Sequence, residues 1–335
     1  MSEAPALGIE IQNYMMTTSP ETAMLMALSL LKGVGPAALR KVARISKFLD
    51  LSIDTIAEQV PAIAKSLNAT PYAWTAALEI ANLQLDLVEA HCARVLSPMD
   101  NDYPSLLAAT KDDPFLIYVK GALSSRPERS IAIIGTREPT AHGQKTATRI
   151  AHFCADQGWS VVSGLAIGCD GIAHRATIDA GGHTVAVLAH GLQMVAPTRH
   201  QRLADSILES GGALVSQFRF GLNVQAQQYV QRDRVQAGLA QGVVMIQSDV
   251  KGGSLHASRA ALEYKRWLAI PYPTSADRDR NEPKVQANLL IVEGAQEAKA
   301  LLLRCTPSDL ERVLVLRSRE DYSSLAGIMV PENFN

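Results

Sequence analysis

The sequence predicts an α/β protein: an extended Rossmann-type, doubly wound and mainly parallel sheet, preceded by a small all-helical N-terminal domain. From about residue 126, short apolar runs alternate with amphipathic helical segments, which is typical of right-handed βαβ units with helices on both sheet faces. Over residues 21–95, apolar residues instead recur at three- and four-residue spacing, as in helices. The length of 335 residues suits two or three folding units.

Residues 1–95 form the predicted helical domain, in which glycine, proline and asparagine mark the turns. The clearest turn is LLKGVGPAALRKV, where Gly33 and Gly35 flank a valine and Pro36 takes a first helical position. This hairpin resembles a helix-hairpin-helix, whose second helix meets a DNA phosphate through its first amides without reading sequence. A plain turn between helices needs the same glycines, so both interpretations stay open.

The remaining chain divides into a linker, a sheet domain and a tail. Residues 96–125 contain scattered prolines and apolar residues, which indicate a linker packed on the next domain. The sheet domain is assigned to residues 126–305. Residues 306–335 form a short C-terminal tail, in which ERVLVLR could add a strand.

The first strand of the sheet domain feeds a glycine turn, IAIIGTREPTAHG, that lacks the GxGxxG dinucleotide fingerprint. Gly135 and Thr136 bring the backbone close to a ligand at the end of the strand, where open α/β sheets bind. Arg137 projects from the same place, and a guanidinium clamps phosphate or stacks on a base. The alternative for Arg137 is a surface salt bridge.

The second strand ends in VVSGLAIGCDGIAH, where Ser163, Gly164 and Leu165 form the predicted second ligand-facing turn. Asp170 and His174 are four residues apart on one helical face, a spacing that suits a metal or an acid–base pair. No third metal ligand is recognisable, so helix capping and an orienting hydrogen bond are the preferred interpretation. The segment also lacks the GxSxG elbow of a nucleophilic serine. We expect no catalytic residue, metal or cofactor.

Two further segments suit an anionic, base-bearing ligand. In YVQRDRVQAGLA, the ring of Tyr229 and the guanidinium of Arg232 can share a helical face, and an aromatic ring beside arginines is a platform for unstacked bases. Arg234 adds a second guanidinium. The segment DVKGGSLHASRAALE opens a helix, and its predicted anion-binding residues are Lys251, Gly252, Gly253 and Ser254. A packed surface helix and a plain tight turn are the respective alternatives.

The bulk composition, 47% hydrophobic and 19% charged, is that of a soluble globular protein. A net charge of −1 argues against coating nucleic acid by bulk charge, although residues 126–270 hold 15 Lys and Arg against 10 Asp and Glu. The 4 cysteines form no CxxC pair, so neither a disulfide framework nor a zinc site is expected. Without a secretion signal or a membrane-spanning run, a cytoplasmic location is expected.

Taken in order, these segments resemble the DprA/Smf family of DNA-processing proteins. The family-like blocks are DYPSLLAATKDDPFLIYVKG (102–121), IAIIGTREPTAHG (131–143), VVSGLAIGCDGIAH (161–174), YVQRDRVQAGLA (229–240), GGSLHASRAALE (252–263) and NLLIVEGA (288–295). The resemblance implies a homodimer that binds single-stranded DNA and helps to load a RecA-type recombinase in natural transformation. The matching positions are Arg137 in the family's first glycine turn, Ser163 and Gly164 in the second, Arg232 and Arg234 in an Arg-Asn-Arg signature, and Gly253 and Ser254 in a Gly-Ser phosphate turn.

The sequence departs from the family pattern at three positions. Ile167 stands where the second turn usually has a basic residue, Asp233 where asparagine is usual, and Gln217 where glutamate is common. The winged-helix tail of many members is not recognisable. The chain is therefore interpreted as a divergent member, with a defence, plasmid or mobile-element role as the alternative to transformation.

Three functions follow, and non-enzymatic single-strand binding is preferred. A nucleotide sensor or a phosphoribohydrolase-like enzyme on the same fold is the second. The related hydrolases use a Gly-Gly-x-Gly-Thr turn followed closely by glutamate, whereas Gly252–His256 lacks its second glycine and threonine and Glu263 falls too late. A scaffold with vestigial ligand turns is the third, supported by Ile167 and Asp233.

Overall fold

The computed structural model describes residues 18–222 and 224–328. Its N-terminal part is helical, as predicted. The helices are α1 (Pro20–Ser29), α2 (Pro36–Val42), α3 (Ile53–Gln59), α4 (Pro61–Ala69) and α5 (Ala73–Ala90). Side-chain caps and prolines fix where they begin: Ser19 accepts a hydrogen bond from the Thr22 amide at 3.3 Å, and Pro20 takes the first position of α1.

A nine-stranded sheet forms the rest of the described chain. The strands are β1 (Ala93–Leu96), β2 (Ile117–Gly121), β3 (Ser130–Ile134), β4 (Ser160–Ser163), β5 (Thr184–Leu188), β6 (Ala213–Ser216), β7 (Gly242–Met245), β8 (Trp267–Pro271) and β9 (Val313–Leu316). They lie in the order β1-β2-β6-β5-β4-β3-β7-β8-β9. Strands β3 to β9 pair in parallel, whereas β1 and β2 pair antiparallel. The predicted mainly parallel sheet is confirmed.

Helices connect the strands. They are α6 (Ser105–Ala108), α7 (Ala141–Asp156), α8 (Cys169–Asp179), α9 (Gln201–Glu209), α10 (Ala226–Gly238), α11 (Leu255–Glu263), α12 (Ser275–Asp279), α13 (Gln286–Glu293), α14 (Gln296–Leu303) and α15 (Tyr322–Ile328). The central strands are buried along their whole length, because helices cover both faces of the sheet. None of the helices in the two described ranges is long and apolar enough to cross a bilayer.

The strand order changes direction at β3. From β3 the chain adds β4, β5 and β6 on one side, and it then crosses to place β7, β8 and β9 on the other side. The loops that leave the carboxyl ends of β3 and β7 therefore diverge. Such a switch point opens a crevice, and this is where open α/β sheets bind their ligands.

The sheet is wider than the predicted domain of residues 126–305. The predicted linker contributes β2 and only the last residue of β1, whose first three residues fall in the predicted helical domain, and the predicted tail contributes β9, which pairs with β8. Tyr103 and Asp113, in the same linker, are buried, and the Tyr103 hydroxyl donates to the Asp113 carboxylate. The boundaries at 95/96, 125/126 and 305/306 therefore divide one continuous sheet.

The helical domain is fixed to the sheet by polar as well as apolar contacts. The Gln84 side chain in α5 accepts a hydrogen bond from the Phe220 amide at 2.9 Å and donates to the Phe220 carbonyl at 3.3 Å. Arg40 in α2 pairs with the buried Asp113 at 2.9 Å. One apolar cluster also runs from α1 to β2 and β6. The two parts consequently pack as one body.

Candidate functional site

An open cleft of about 370 Å³ lies at the β3/β7 switch point. Its walls come from the loops after β3, β4 and β7, from one side of α10, and from the segment between α12 and α13. The lining side chains and backbone are those of Ile134, Gly135, Thr136, Arg137, Ala166, Asp170, Tyr229, Val230, Arg232, Asp233, Gln236, Ser248, Asp249, Gly252, Gly253, Ser254, His256, Ala257 and Lys284. The volume falls in the lower range for small-molecule sites, so it suits about one nucleotide.

The turns after β3 and β4 pack tightly on each other. A Cβ at Gly135 would collide with the Cys169 side chain, and a Cβ at Gly168 would collide with the carbonyl of Thr136. Gly168 also has a φ of +82°, which favours glycine. The Thr136 amide donates to the Gln247 carbonyl at 2.8 Å, which ties the first turn to the β7 loop. Both turns are therefore held rigidly at the base of the cleft.

The predicted second turn supports the cleft from below. Ser163 is buried and its hydroxyl donates to the Ile133 carbonyl at 2.6 Å. Leu165 is buried with a φ of +58°, and its carbonyl accepts from the His200 ring at 2.8 Å. A Cβ at Gly164 would collide with Arg232 and Gln236. The glycine at 164 thus makes room for side chains of α10.

The Tyr229 ring is close to two guanidinium groups at the cleft. The Arg137 and Arg232 guanidinium carbons are each 5.8 Å from the ring centre. Arg137 is exposed, and it forms no ion pair with any carboxylate in the described ranges. The contact between the Tyr229 ring and the Arg232 guanidinium that the sequence predicts is present. Arg137 adds a second guanidinium, which is exposed to solvent.

Arg232 is only 6% exposed, which gives it a different position from Arg137. Its guanidinium donates to the carbonyls of Gly164 and Val187, the latter at 3.0 Å, and to Asp233 at 2.9 Å. These bonds join α10 to the carboxyl ends of β4 and β5. The structure therefore corrects the expectation that Arg232 projects freely toward a ligand: its Nε and Nη1 donate to groups of the protein, and only Nη2 has no hydrogen bond within the described ranges.

Two carboxylates flank Arg232 inside the cleft. Burial raises the pKa of Asp233 to about 6; the neighbouring Asp170 charge acts in the same direction, and Arg232 opposes it. Burial also raises the pKa of Asp170, against the lowering effect of Arg232 and of the Ala166 amide. When Asp170 and Asp233 are both ionised, the inner wall of the cleft thus carries two negative charges against the one positive charge of Arg232.

The β7–α11 loop presents amides at the outer rim. The Lys251 amide donates to Asp249 Oδ1 at 2.8 Å and the Gly252 amide donates to the Asp249 carbonyl at 2.8 Å. Within the described ranges, no hydrogen bond engages the amides of Gly253 and Ser254. Gly253 and Ser254 lie at the start of α11, where the helix dipole favours an anion.

Other predicted residues lie away from the cleft. Arg234 pairs with Asp112 and Glu263, because it lies two residues after Arg232 and so faces the other side of α10. Gly33 and Gly35 border a separate hollow in the helical domain, and neither contributes to the cleft. The phosphate role of that hairpin stays a prediction.

The Asp170–His174 pair does not form. The Asp170 carboxylate accepts from the Ala166 amide at 3.3 Å, whereas the His174 ring bonds the Thr184 hydroxyl at 2.7 Å. Burial lowers the pKa of His174 to about 3, so the ring is neutral. Among the residues that the structure describes, His, Cys, Asp and Glu side chains do not gather in a group able to hold a metal.

Several cleft residues were missed from the sequence, among them Gln236 and Lys284. Gln236 is 1% exposed, and among the described residues its amide nitrogen has no hydrogen-bond partner. The available sequence signal for Gln236 was its position three residues after Asp233, which places both side chains on the same face of a helix. Lys284 reaches the rim from beyond β8 and pairs with Glu138 at 3.1 Å. Nothing in its local sequence places it there.

Comparison with known proteins shows which sequences this chain is similar to. The family model for DNA recombination-mediator protein A matches residues 94–302. Protein Smf of Escherichia coli is 38% identical over 180 residues, which cover 53% of this chain and 48% of that protein. DNA processing protein DprA of Bacillus subtilis is 36% identical over 171 residues, covering 50% and 57% respectively. The chain thus matches about half the length of these relatives.

Solved structures share the fold. DNA processing protein A of Streptococcus pneumoniae superposes with a TM-score of 0.67 at 23% identity, over 90% of this chain and 97% of that one. DNA processing protein A of Helicobacter pylori, whose structure concerns single-stranded DNA binding, gives 0.56 at 21% identity, over 70% and 96%. Since the family model spans well over half of the sequence, this chain belongs to the DNA recombination-mediator protein A family.

Proposed function

We propose that this protein binds single-stranded DNA without catalysing a reaction, and that the switch-point cleft is the binding site. The observation that carries the proposal is the exposed Arg137 guanidinium above Tyr229, close to the unengaged amides of Gly253 and Ser254. A stacking surface next to an anion-binding rim is what an unpaired nucleotide requires.

The rim would hold the phosphates and the interior a base. The cations Arg137 and Lys284 line the cleft, and the exposed Lys251 belongs to the adjoining β7–α11 loop without lining the cleft itself. The second turn and Arg232 serve in this proposal as the support that fixes Tyr229. Ser163, Gly164 and Leu165 are buried, so they act through the backbone position that they impose.

The wider role is proposed from the family. Membership of a recombination-mediator family supports transfer of the bound strand to a RecA-type recombinase, in DNA uptake or in another DNA-processing pathway. We also propose a homodimer in the cytoplasm, as the family resemblance implies. Size-exclusion chromatography with light scattering would test the dimer, and a monomer at working concentrations would contradict it.

Strand binding can be tested by fluorescence anisotropy with single- and double-stranded oligonucleotides over a range of salt concentrations. We expect the single strand to bind more tightly. If Arg137, Lys251 and Lys284 each meet a phosphate, the logarithm of affinity should fall with a slope of about −2 against the logarithm of salt. Equal affinity for both probes, or a flat salt response, would contradict the proposal.

A nucleotide sensor is the second candidate, because the cleft volume suits a single nucleotide. Calorimetric titration with nucleoside monophosphates separates the two candidates. Tight mononucleotide binding with weak oligonucleotide binding would favour the sensor, and release of free base would indicate a hydrolase. Absence of binding to both ligand classes would leave an interaction scaffold.

A further inference from the structure

The inner wall of the cleft carries two hydrogen-bonding side chains that the phosphate rim does not use. Asp233 and Gln236 lie three residues apart on α10, so they share a face of the helix, and both line the cleft. Arg232 sits between them: its Nε donates to Asp233 Oδ1 at 2.9 Å, and its Nη1 lies over Gly164 beside the Gln236 amide. The two side chains therefore flank one guanidinium.

Gln236 is the observation that points to a ligand. It is 1% exposed, and its amide nitrogen has no hydrogen-bond acceptor in the part of the chain that the structure describes. A buried donor without a partner is unfavourable, and native proteins rarely retain one without a functional reason. An acceptor atom supplied from the cleft would satisfy this donor.

A phosphate cannot be that acceptor, because the surrounding charge is unfavourable. Asp170 and Asp233 outnumber Arg232 in the inner wall, and the Nε and Nη1 donors of Arg232 already bond a carboxylate and two carbonyls. An anion there would face a net negative wall. A neutral group that accepts from Gln236 and donates to a carboxylate meets no such repulsion.

We propose that Asp233 and Gln236 bind the Watson–Crick edge of a guanine base, a specificity that rests on the proposed single-strand binding. Guanine offers two adjacent donors, N1–H and the N2 amino group, and one acceptor, O6. The carboxylate of Asp233 accepts the two donors and the Gln236 amide donates to O6. Asp233 Oδ2 has no hydrogen bond within the described ranges, and Oδ1 keeps a lone pair beside its bond to Arg232.

The other bases fit this wall less well. Adenine and cytosine have one amino group beside a ring acceptor, so only one of their groups can donate to Asp233. Thymine has a single N–H between two carbonyls, one of which would face the carboxylate. The ring of any base stacks on Tyr229, whereas the edge contacts distinguish guanine.

The test uses the full chain and labelled oligothymidine probes that carry one central base: guanine, inosine, O6-methylguanine, adenine, cytosine or thymine. The guanine probe should bind roughly tenfold more tightly than the thymine probe, since a good bidentate contact discriminates by about that factor or more. Inosine lacks the N2 amino group and should be intermediate. O6-methylguanine has lost N1–H and should bind like thymine.

Two variants connect the preference to the wall. Asp233→Asn replaces an acceptor with a donor, and Gln236→Leu removes the amide at similar volume. Each should lower the affinity for the guanine probe to that for the thymine probe and so abolish the guanine preference. Gln231→Leu, exposed on the same helix and lining a different cleft, is the matched control and should keep the preference. The melting temperature of Gln236→Leu should be unchanged or higher, because an unsatisfied donor has been removed.

The outcomes separate the two proposals. Equal binding of all probes by the natural protein, or a guanine preference that survives both variants, would overturn the base assignment and leave strand binding intact. Failure of the natural protein to bind any probe would overturn strand binding and the guanine site together.

Discussion

Arg137 and Arg232 contact the same tyrosine ring, but burial gives them different tasks. Arg137 is exposed, so its guanidinium can contact a ligand at the cleft. Arg232 is 6% exposed and donates hydrogen bonds to the carboxyl ends of two strands. Loss of the first should therefore weaken binding, and loss of the second should weaken the fold. This contrast separates contact with a ligand from support of the site.

Arg137→Ala is expected to lower single-strand affinity by about 1–3 kcal/mol, because it removes a stacking and phosphate-binding group. Its unfolding midpoint should stay unchanged. Arg126→Ala is a matched control, since Arg126 is exposed before β3 at the opposite edge of the sheet. Anisotropy and urea titrations measure both effects. Equal losses of affinity in the two variants would show that only net charge matters.

Arg232→Ala is expected to lower the free energy of unfolding by about 3–5 kcal/mol, because a buried, paired cation leaves its carboxylate and carbonyl partners unsatisfied. Urea denaturation followed by circular dichroism would measure it. Arg234→Ala is the comparison, since that side chain is more exposed and its salt bridges should contribute less. An unchanged midpoint for Arg232→Ala would contradict the supporting role.

Asp233 predicts a pH dependence of stability. Its pKa is about 6 in the folded protein, above the value of an unfolded aspartate, so the ionised form destabilises the fold and protonation relieves this as pH falls. Asp233→Asn should therefore be the more stable protein at neutral pH. Its advantage should shrink by about 1 kcal/mol between about pH 7.5 and pH 5. Denaturant titrations at both pH values test this, and a constant difference would contradict it.

Among elements, the β4–α8 turn and the β7–α11 turn use glycine for different reasons. At Gly164 a side chain would collide with Arg232 and Gln236 of α10, whereas at Gly253 a side chain would meet nothing within 4 Å. The first glycine allows a helix to approach the sheet. The second leaves open space beside the amides of Gly253 and Ser254.

The paired substitutions Gly164→Ala and Gly253→Ala test this distinction. Gly164→Ala should lower the free energy of unfolding by about 1–3 kcal/mol through overpacking, and should disturb the cleft. Gly253→Ala should leave the unfolding midpoint unchanged yet weaken single-strand binding, because its methyl group stands where a phosphate approaches the amides. If the urea titrations showed that Gly253→Ala lowers the free energy of unfolding and Gly164→Ala does not, the assignment of the two glycines would be wrong.

Much of the fold could be predicted from element patterns, and the exceptions have physical causes. Buried parallel strands such as SIAII and TVAVL are continuous apolar runs and are easily recognised. The antiparallel strands ARVL and IYVKG are short and contain polar residues, and a loop with prolines separates them, so the first was assigned mainly to the helical domain and the second to the linker. Their antiparallel pairing depends on contacts distant in sequence.

The site was predictable only in part, for a similar reason. The glycine turns gather at one edge because parallel strands end together, and that follows from the sequence. The sequence does not show which face of α10 points into the cleft. It therefore could not show that Arg232 supports the site, that Arg234 forms surface salt bridges and that Gln236 lines the cleft. Burial decides among them, and burial is a property of the folded chain.

At the scale of the whole molecule, the helical domain and the sheet share a core, and Gln84 and Arg40 bridge them. The cleft opens at the carboxyl edge of this body, and its position is set by strand order. Ligand binding at the switch point can therefore proceed on a preformed support, without assembly of separate domains.

The width of the sheet determines where the chain can be cut. A fragment of residues 126–305 would lack β1, β2 and β9, which leaves β6 and β8 as bare edges with unpaired backbone groups. Such edges recruit strands from other molecules and promote aggregation. Fragments intended for crystallisation or labelling should instead begin before Ala93 and continue past Leu316, so that the outer strands protect the parallel centre.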